Sequence, residues 1–396
     1  MSEAHVAAVA TYLPAFEARR GRQAGPDEDA VTMAVEAGRA AIGGGEPVRR
    51  VIAVTRDLPL LRGGSAAVLA AGLGLGDEVA VAEQVGGAPA ALDAILSAAP
   101  GTLVLAVDVE TPAGAGAALI ADQGASVRSV GRVARSLPLR TLAAGGQASD
   151  YDDARLLRER GTRASLAGAD LDRPVDVLAG ATAKGLESLV EREQPSLPTT
   201  GASAPIFALA ELIGRERGGT LAGIEEAQLS VVEVGSGDVA LSRVERPARP
   251  LPKRRLSSAS EIKISLPAYD RAFDSKLGLK AGACPQCETL ALPPRWRCLN
   301  CGHEGRQELV SLRRSGEVHT TTTVHVPVPG LETPYSLAIV AIDDSDVRLL
   351  GPVTEAEPGS VSIGDRGELV LRRLAVRSGV PDYGYAFRPD AKGAQA

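Results

Sequence analysis

All four cysteines of this chain fall in one stretch, CPQCETLALPPRWRCLNCG, as Cys284, Cys287, Cys298 and Cys301. The spacing is Cys-x2-Cys-x10-Cys-x2-Cys. Each Cys-x2-Cys puts two thiolates on one tight knuckle, and two knuckles complete a tetrahedral four-sulfur site. Four protein ligands leave no open coordination position, so the metal is structural. Zinc is the expected ion, with rubredoxin-type iron as the alternative. Such a site can add roughly 10–16 kcal/mol of apparent binding free energy to folding. The motif also constrains the rest of the chain. No thiol precedes residue 284, and the histidines are His5, His303, His319 and His325. Residues 6–302 therefore hold neither cysteine nor histidine, which removes the two commonest nucleophile and base types from that region. His303, just past the second knuckle, is expected at the surface rather than on the metal.

At 396 residues the chain exceeds what one core usually serves, so two or more domains are expected. Aromatic residues make up only 3%, so the core must rest on Ala, Val, Leu and Ile, and the 44 glycines favour close packing of helices on sheets. That composition supports an α/β architecture over a β-sandwich. A net charge of −6 argues against nucleic acid or an acidic membrane as partner. The opening MSEAHVAAVATYLP lacks a basic stretch followed by a long apolar run, and no apolar run approaches about 18 residues. With the cysteines reading as metal ligands rather than disulfides, a cytoplasmic location is the expectation.

Along the chain, HVAAVATYLP, RRVIAVTRD, EVAVAEQV and TLVLAVDVE read as strands, the last nearly continuous in apolar residues and so buried on both faces. DEDAVTMAVEAGRAAI, GSAAVLAAGLGL and the segment after Gly87 read as helices. After the charged stretch SDYDDARLLRERGTRASL a similar rhythm returns: DVLAGAT as a strand, AKGLESLV as a helix, TTGASAPIFALAELIGRE as a longer helix, and AQLSVVEVGSGDVALSRVE as a hairpin. The shared order points to a degenerate duplication. RPARPLPKRRLSSASE is a linker by composition. PAYDRAFDSKLGLKAG is a short amphipathic helix before the cysteines, and short strands at barrel-like spacing follow them. The expected divisions are 1–245, a linker at 246–262, helix plus zinc ribbon at 263–305, and a β-barrel at 306–390.

The ribbon with LPPRWRC between its knuckles, the helix before it, and HVPVPGLETPYSLAIVAID…VRLLGPV resemble a zinc-ribbon/OB-fold family that accompanies thiolases and related acyl-CoA enzymes. The resemblance implies an OB-fold that binds thiolase-fold partners and helps hold the coenzyme A arm. In the first 245 residues, PDEDAVTMAVEAGRAAI, VIAVTRDLPLL, the turn at Gln84, LVLAVDVETPAGAGAAL and TTGASAPIFALAEL resemble the thiolase superfamily, nearest its HMG-CoA synthase and ketoacyl synthase III branch. That implies a duplicated, five-layered αβαβα fold, here in a shortened form.

The resemblance also carries site positions, and each is replaced. The acyl-accepting cysteine falls at Gln84, the catalytic glutamate at Arg56, the histidine at Ala181 or Thr182, and the asparagine at Thr199. Claisen condensation through an acyl-cysteine is therefore not expected. Gln84 retains an amide able to donate to a thioester carbonyl, assisted by the N-terminus of the next helix. Two functions follow. In the first, the chain binds coenzyme A thioesters and bridges or supports a catalytic thiolase, as a homodimer or a hetero-oligomer with it. In the second, it performs non-condensing acyl-CoA chemistry — retro-aldol cleavage, thioester hydrolysis, or acyl or sulfur transfer. Glu83, Asp57, Asp108 and Glu110 would then serve beside Gln84, with Tyr12 as a further candidate. Arg295 and Arg297 are the expected contacts for coenzyme A phosphates. The plain alternative for each carboxylate is a strand-end or helix-capping role. His319, His325 and Tyr335 are expected as ordinary strand residues of the barrel.

Overall fold

In the computed structural model the described residues are 3–43, 47–60, 63–137, 140–142, 148–151, 153–181, 184, 186, 188–191, 193–215, 218–256, 263–326 and 332–391. The end of the basic linker and Thr182 lie outside them. The chain divides into two compact units: residues 1–24 with 33–249, and residues 25–32 with 250–396. Among the described residues no helix is long and apolar enough to cross a membrane.

The first unit begins with β1 (Glu3–Leu13), α1 (Ala30–Ile42), β2 (Arg50–Thr55), α2 (Ala66–Leu73), β3 (Ala80–Val85), α3 (Ala88–Ser97), β4 (Thr102–Asp108) and β5 (Gly114–Ala121). These strands lie in the order β3-β2-β4-β5-β1, with β5 antiparallel to its neighbours and β2, β3 and β4 parallel. The chain then repeats the theme with β6 (Ala125–Ala134), β7 (Val177–Ala179), α4 (Ala204–Gly214), β8 (Gly219–Glu225) and β9 (Gln228–Val234). These lie as β7-β8-β9-β6, with β7 and β8 parallel and β9 antiparallel to both neighbours. Deleting the third strand from the first pattern yields the second. The duplication expected from the sequence is thus present in the topology, and the later copy has lost one strand and one helix. A last strand, β10 (Ala240–Glu245), runs parallel to β1.

Alternation along β4 shows how the layers form. Val104 and Ala106 join one core cluster with Leu92 and Ile95 of α3 and with Ile206 and Leu209 of α4. On the opposite face, a Cβ built on Gly38 of α1 would fall against Leu103, Leu105 and Leu73. Both faces are apolar because both are covered, which is why the strand reads as a continuous run. α3 and α4 pack on each other and on strands of both copies, forming the middle layer. A helical stretch runs through Ala154–Leu156, Leu157–Arg163 (π-type) and Ala164–Gly168. It buries Leu166 with Val231 and Ile224 on the face of β8 and β9 that points away from α3 and α4. The result is the αβαβα arrangement of a thiolase-like fold. Full burial of Leu92 and Ile95 stabilises it by about 1.5–3 kcal/mol each.

Three local expectations differ. AQLSVVEVGSGDVALSRVE is not a hairpin, because β9 pairs with β8 and β6 while β10 leaves to run beside β1. AKGLESLV is not helical at any described position; Leu186 is buried and Val190 forms a bridge to Val175. The charged stretch around RLLRERG is helical instead, because Asp153 accepts from the amides of Arg155 and Leu156 and so caps its start.

The second unit holds α5 (Leu266–Lys276), then β11 (Lys280–Ala283), β12 (Leu290–Ala291) and β13 (Glu308–Ser311), which pair as β12-β11-β13 around the cysteines. Five antiparallel strands follow: β14 (Ser315–Val324), β15 (Tyr335–Ile342), β16 (Arg348–Pro352), β17 (Arg366–Arg377) and β18 (Val380–Pro389). Their order is β16-β15-β14-β17-β18, and the two edges meet where Val353 bridges Phe387 and Thr354 N donates to the Phe387 carbonyl. That closure makes the five strands a barrel of the OB type. Inside this unit Arg372 is fully buried, 2.5 Å from Glu355 Oε1, and Arg388 approaches the same oxygen at 3.3 Å. Residues 25–32 belong to this group: Glu28 lies 3.8 Å from Arg372, and Tyr383 Oη donates to Asp29 Oδ2 at 2.8 Å. Burial, with Asp29 beside it, raises the Tyr383 phenol well above its ordinary value.

Candidate functional site

Two places in the molecule prepare backbone and side chains for a charged group. The first is the cysteine cluster. Cys284 and Cys287 follow β11, and Cys298 and Cys301 form the facing knuckle; all four sulfurs lie within 4.8 Å of one another. Sγ–Sγ separations are 3.6 Å for Cys284–Cys301 and for Cys287–Cys298. Backbone bonds shape the knuckles: Glu288 N donates to the Cys284 carbonyl, and Gly302 N to the Cys298 carbonyl. The Thr289 hydroxyl and amide hold the Cys287 thiol down at about 6. At Cys301 the His303 amide favours the thiolate, but the neighbouring thiols outweigh it and the group sits up at about 12. Four thiols at this range cannot all ionise unless a cation shares them, so the donor set fits a tetrahedral divalent metal. No histidine belongs to the cluster.

The second place is the edge formed by the C-terminal ends of β3, β2 and β4, adjacent parallel strands where α/β sheets commonly place ligands. Here stand Glu83 and Gln84, Arg56 and Asp57, and Asp108. The structure brings them to one edge, yet it gives the carboxylates internal employment. Glu83 Oε1 accepts from Gly64 N (3.0 Å) and Ser65 N (2.8 Å) at the start of α2. Asp57 Oδ2 accepts from Val109 N at 2.8 Å. Asp108 accepts from Ala202 N (2.7 Å) and Ser203 N (3.0 Å) at the start of α4, and Ser203 Oγ donates to it at 2.6 Å. Ser203 Oγ also lies 2.8 Å from Thr199 Oγ1, so Thr199 supports this cap. Burial raises the Asp108 carboxyl above its usual range against the pull of these donors, and nearby Asp57 raises it further.

At the turn itself, Gln84 sits within β3 opposite Val54, and Val85 ends the strand with 71% of its surface exposed. Beyond it, the N-terminus of α3 is occupied. Gly87 N donates to Glu225 Oε2 at 2.8 Å, and Glu225 pairs in turn with the Arg56 guanidinium. A Cβ on Gly87 would fall 2.6 Å from that guanidinium and 2.8 Å from the carboxylate, so only glycine admits the pair this close. A helix N-terminus favours an anion, and here the chain supplies its own. Glu225, at the end of β8, carries no local sequence signal; it meets Gly87 across 138 positions of chain. Ala181 packs against the apolar cluster of the second copy, with no ionisable group in its place. Arg295 and Arg297 are exposed on the ribbon, where Arg297 lies 3.8 Å from Glu304. His319 and His325 are exposed and Tyr335 half-buried on the barrel strands or beside them.

Residues 309–372 match the family model described as the C-terminal OB-fold domain of ChsH2. A DUF35 domain-containing scaffold protein of Methanothermobacter thermautotrophicus is 28% identical over 123 residues, which are 30% of this chain and 92% of that protein. The benzoylsuccinyl-CoA thiolase subunit BbsA of Thauera aromatica is 31% identical over 111 residues, 28% of this chain and 75% of that subunit. Among solved structures, a 3-oxoacyl-(acyl-carrier protein) synthase from Burkholderia xenovorans is 17% identical with a TM-score of 0.46, covering 61% of this chain and 97% of that one. Through its OB-fold unit this chain belongs to the DUF35 family, and it carries that unit, with the four cysteines before it, behind a thiolase-like α/β domain.

Proposed function

We propose that this chain is an acyl-CoA-handling partner of a catalytic thiolase, and that its own thiolase-like domain does not condense acyl groups. The observation that carries the reading is the Glu225–Arg56 pair on Gly87 N. It fills the helix N-terminus where the thiolase resemblance places the acyl-accepting residue, and it leaves Gln84 without a prepared anion site beside it. The similar proteins, a scaffold protein and a thiolase subunit, support a role alongside an enzyme. The four cysteines hold zinc, which braces the ribbon; coenzyme A thioesters are the ligand. The test is light scattering after gel filtration of the zinc-loaded chain with a thiolase from the same source. A stoichiometric complex is expected, and its absence at micromolar concentrations overturns the partner reading.

One observation favours a second reading. Asp108, raised by burial and adjacent to Asp57, has the disposition of a proton-transfer carboxyl. Non-condensing chemistry such as retro-aldol cleavage, hydrolysis, or acyl or sulfur transfer would use it with Gln84 and Glu83. Loss of product formation in Asp108→Asn, with complex formation intact, distinguishes this reading from the first.

A further inference from the structure

Next to the edge that carries Asp108 and Thr199, the first unit has a cleft of about 600 Å3 lined by Arg19, Arg20, Thr111, Ser196, Leu197 and Thr200, with Gly21, Pro112 and Pro198 at its base. We infer that this cleft binds the phosphate end of a small phosphorylated ligand. Its size lies in the range of small-molecule sites, about 300–1,000 Å3. Arg19 and Arg20 sit at the tip of the short hairpin formed by Phe16–Glu17 and Arg22–Gln23. Of the three arginines there, Arg22 anchors the hairpin through the carbonyls of Pro14, Ala15 and Arg246. Arg19 and Arg20 make no ion pair with any described residue, and no carboxylate lines the cleft, in a chain whose net charge is −6. Two neighbouring guanidiniums with three hydroxyls present more donors than one carboxylate can accept from, and suit a multiply charged group with several oxygens.

The base of the cleft is pre-formed. Gly21 has φ +69°, and a Cβ there would fall 2.9 Å from Pro112 Cβ and 3.3 Å from the Pro198 carbonyl oxygen. Three chain segments therefore meet tightly under the arginines, so little ordering is needed on binding. Leu197 and the two prolines leave an apolar wall for an uncharged arm. The phosphate chemistry follows from these residues, while the choice of coenzyme A as the probe rests on the function proposed above.

Calorimetry on the full zinc-loaded chain tests it with coenzyme A, inorganic pyrophosphate and pantetheine. Coenzyme A and pyrophosphate are expected to bind and compete, and pantetheine to bind more weakly than either. Arg19→Ala/Arg20→Ala should weaken both phosphorylated probes about tenfold or more, whereas Arg155→Ala, exposed and outside the cleft lining, leaves them unchanged. Both arginines of the cleft are exposed, so the double variant keeps the fold. Coenzyme A binding that ignores Arg19→Ala/Arg20→Ala overturns the cleft and leaves the acyl-CoA reading standing. Pyrophosphate binding that depends on these arginines, with no binding of coenzyme A, keeps the cleft and removes that reading. Failure of both phosphorylated probes at millimolar concentration overturns the inference.

Discussion

The cysteine ribbon and the turn into α3 are built on the same physical idea and end in opposite states. Each aligns backbone amides on a tight curve so that negative charge is welcome. In the ribbon the negative charge comes from four thiols and still requires a cation to complete it. At α3 the anion is Glu225, its counter-ion is Arg56, and the arrangement is complete without any ligand. An open demand for a partner marks a binding site; a satisfied one marks structure. This contrast is the structural ground for the proposal that the chain does not condense acyl groups.

Removing the metal should give the largest effect. Cys298→Ser is expected to abolish stoichiometric zinc in elemental analysis. It should also remove most of the roughly 10–16 kcal/mol such a site can contribute, seen as loss of a cooperative thermal transition. A variant that melts like the parent would break the contrast, since the ribbon would then be as self-sufficient as the turn. The next effect tests buried charge inside the C-terminal unit. Glu355→Gln leaves Arg372 and Arg388 under-compensated in a buried place, and should cost about 3–5 kcal/mol in urea unfolding.

The pair at α3 is more exposed, 43% at Arg56 and 22% at Glu225. Glu225→Gln should therefore cost only on the order of 1 kcal/mol. It should produce no acyl-CoA turnover, because removing the plug does not create a nucleophile. The smallest effect is a pH slope. Asp108 is raised in the folded state, so folding favours its protonated form. Its contribution is present below the ordinary carboxylate range and is lost as pH rises through the raised value. Asp108→Asn should flatten thermal stability against pH across that interval, and an unchanged profile would show that Ser203 and Ala202 fully compensate the burial.

How much of this was legible in the sequence follows from how far apart the partners lie. The four thiols share one short stretch, so spacing alone located the four-cysteine cluster. Strand β4 was legible because both of its faces are covered and its apolar run is unbroken. The repeated order of elements hinted at duplication, but the missing strand of the second copy leaves no mark in composition. The helix through Leu157–Arg163 was hidden because its charges resemble a solvated loop; the Asp153 cap is the signal that would have found it. AKGLESLV misled because its leucines suit helical spacing, whereas the structure uses Leu186 and Val190 to cover the β7 side of the core. At the α3 turn, sequence showed that Gln84 stands where a nucleophile is expected. It could not show that Glu225, on a strand of the other copy, already occupies the helix end.

The most direct test incubates the zinc-loaded chain alone with a panel of acyl-CoAs and follows intact protein and small molecules by mass spectrometry. The expected result is unmodified protein and unchanged thioesters, with conversion appearing only when a thiolase is added. A covalent acyl adduct, or product formed by the chain alone and lost in Asp108→Asn, would contradict it.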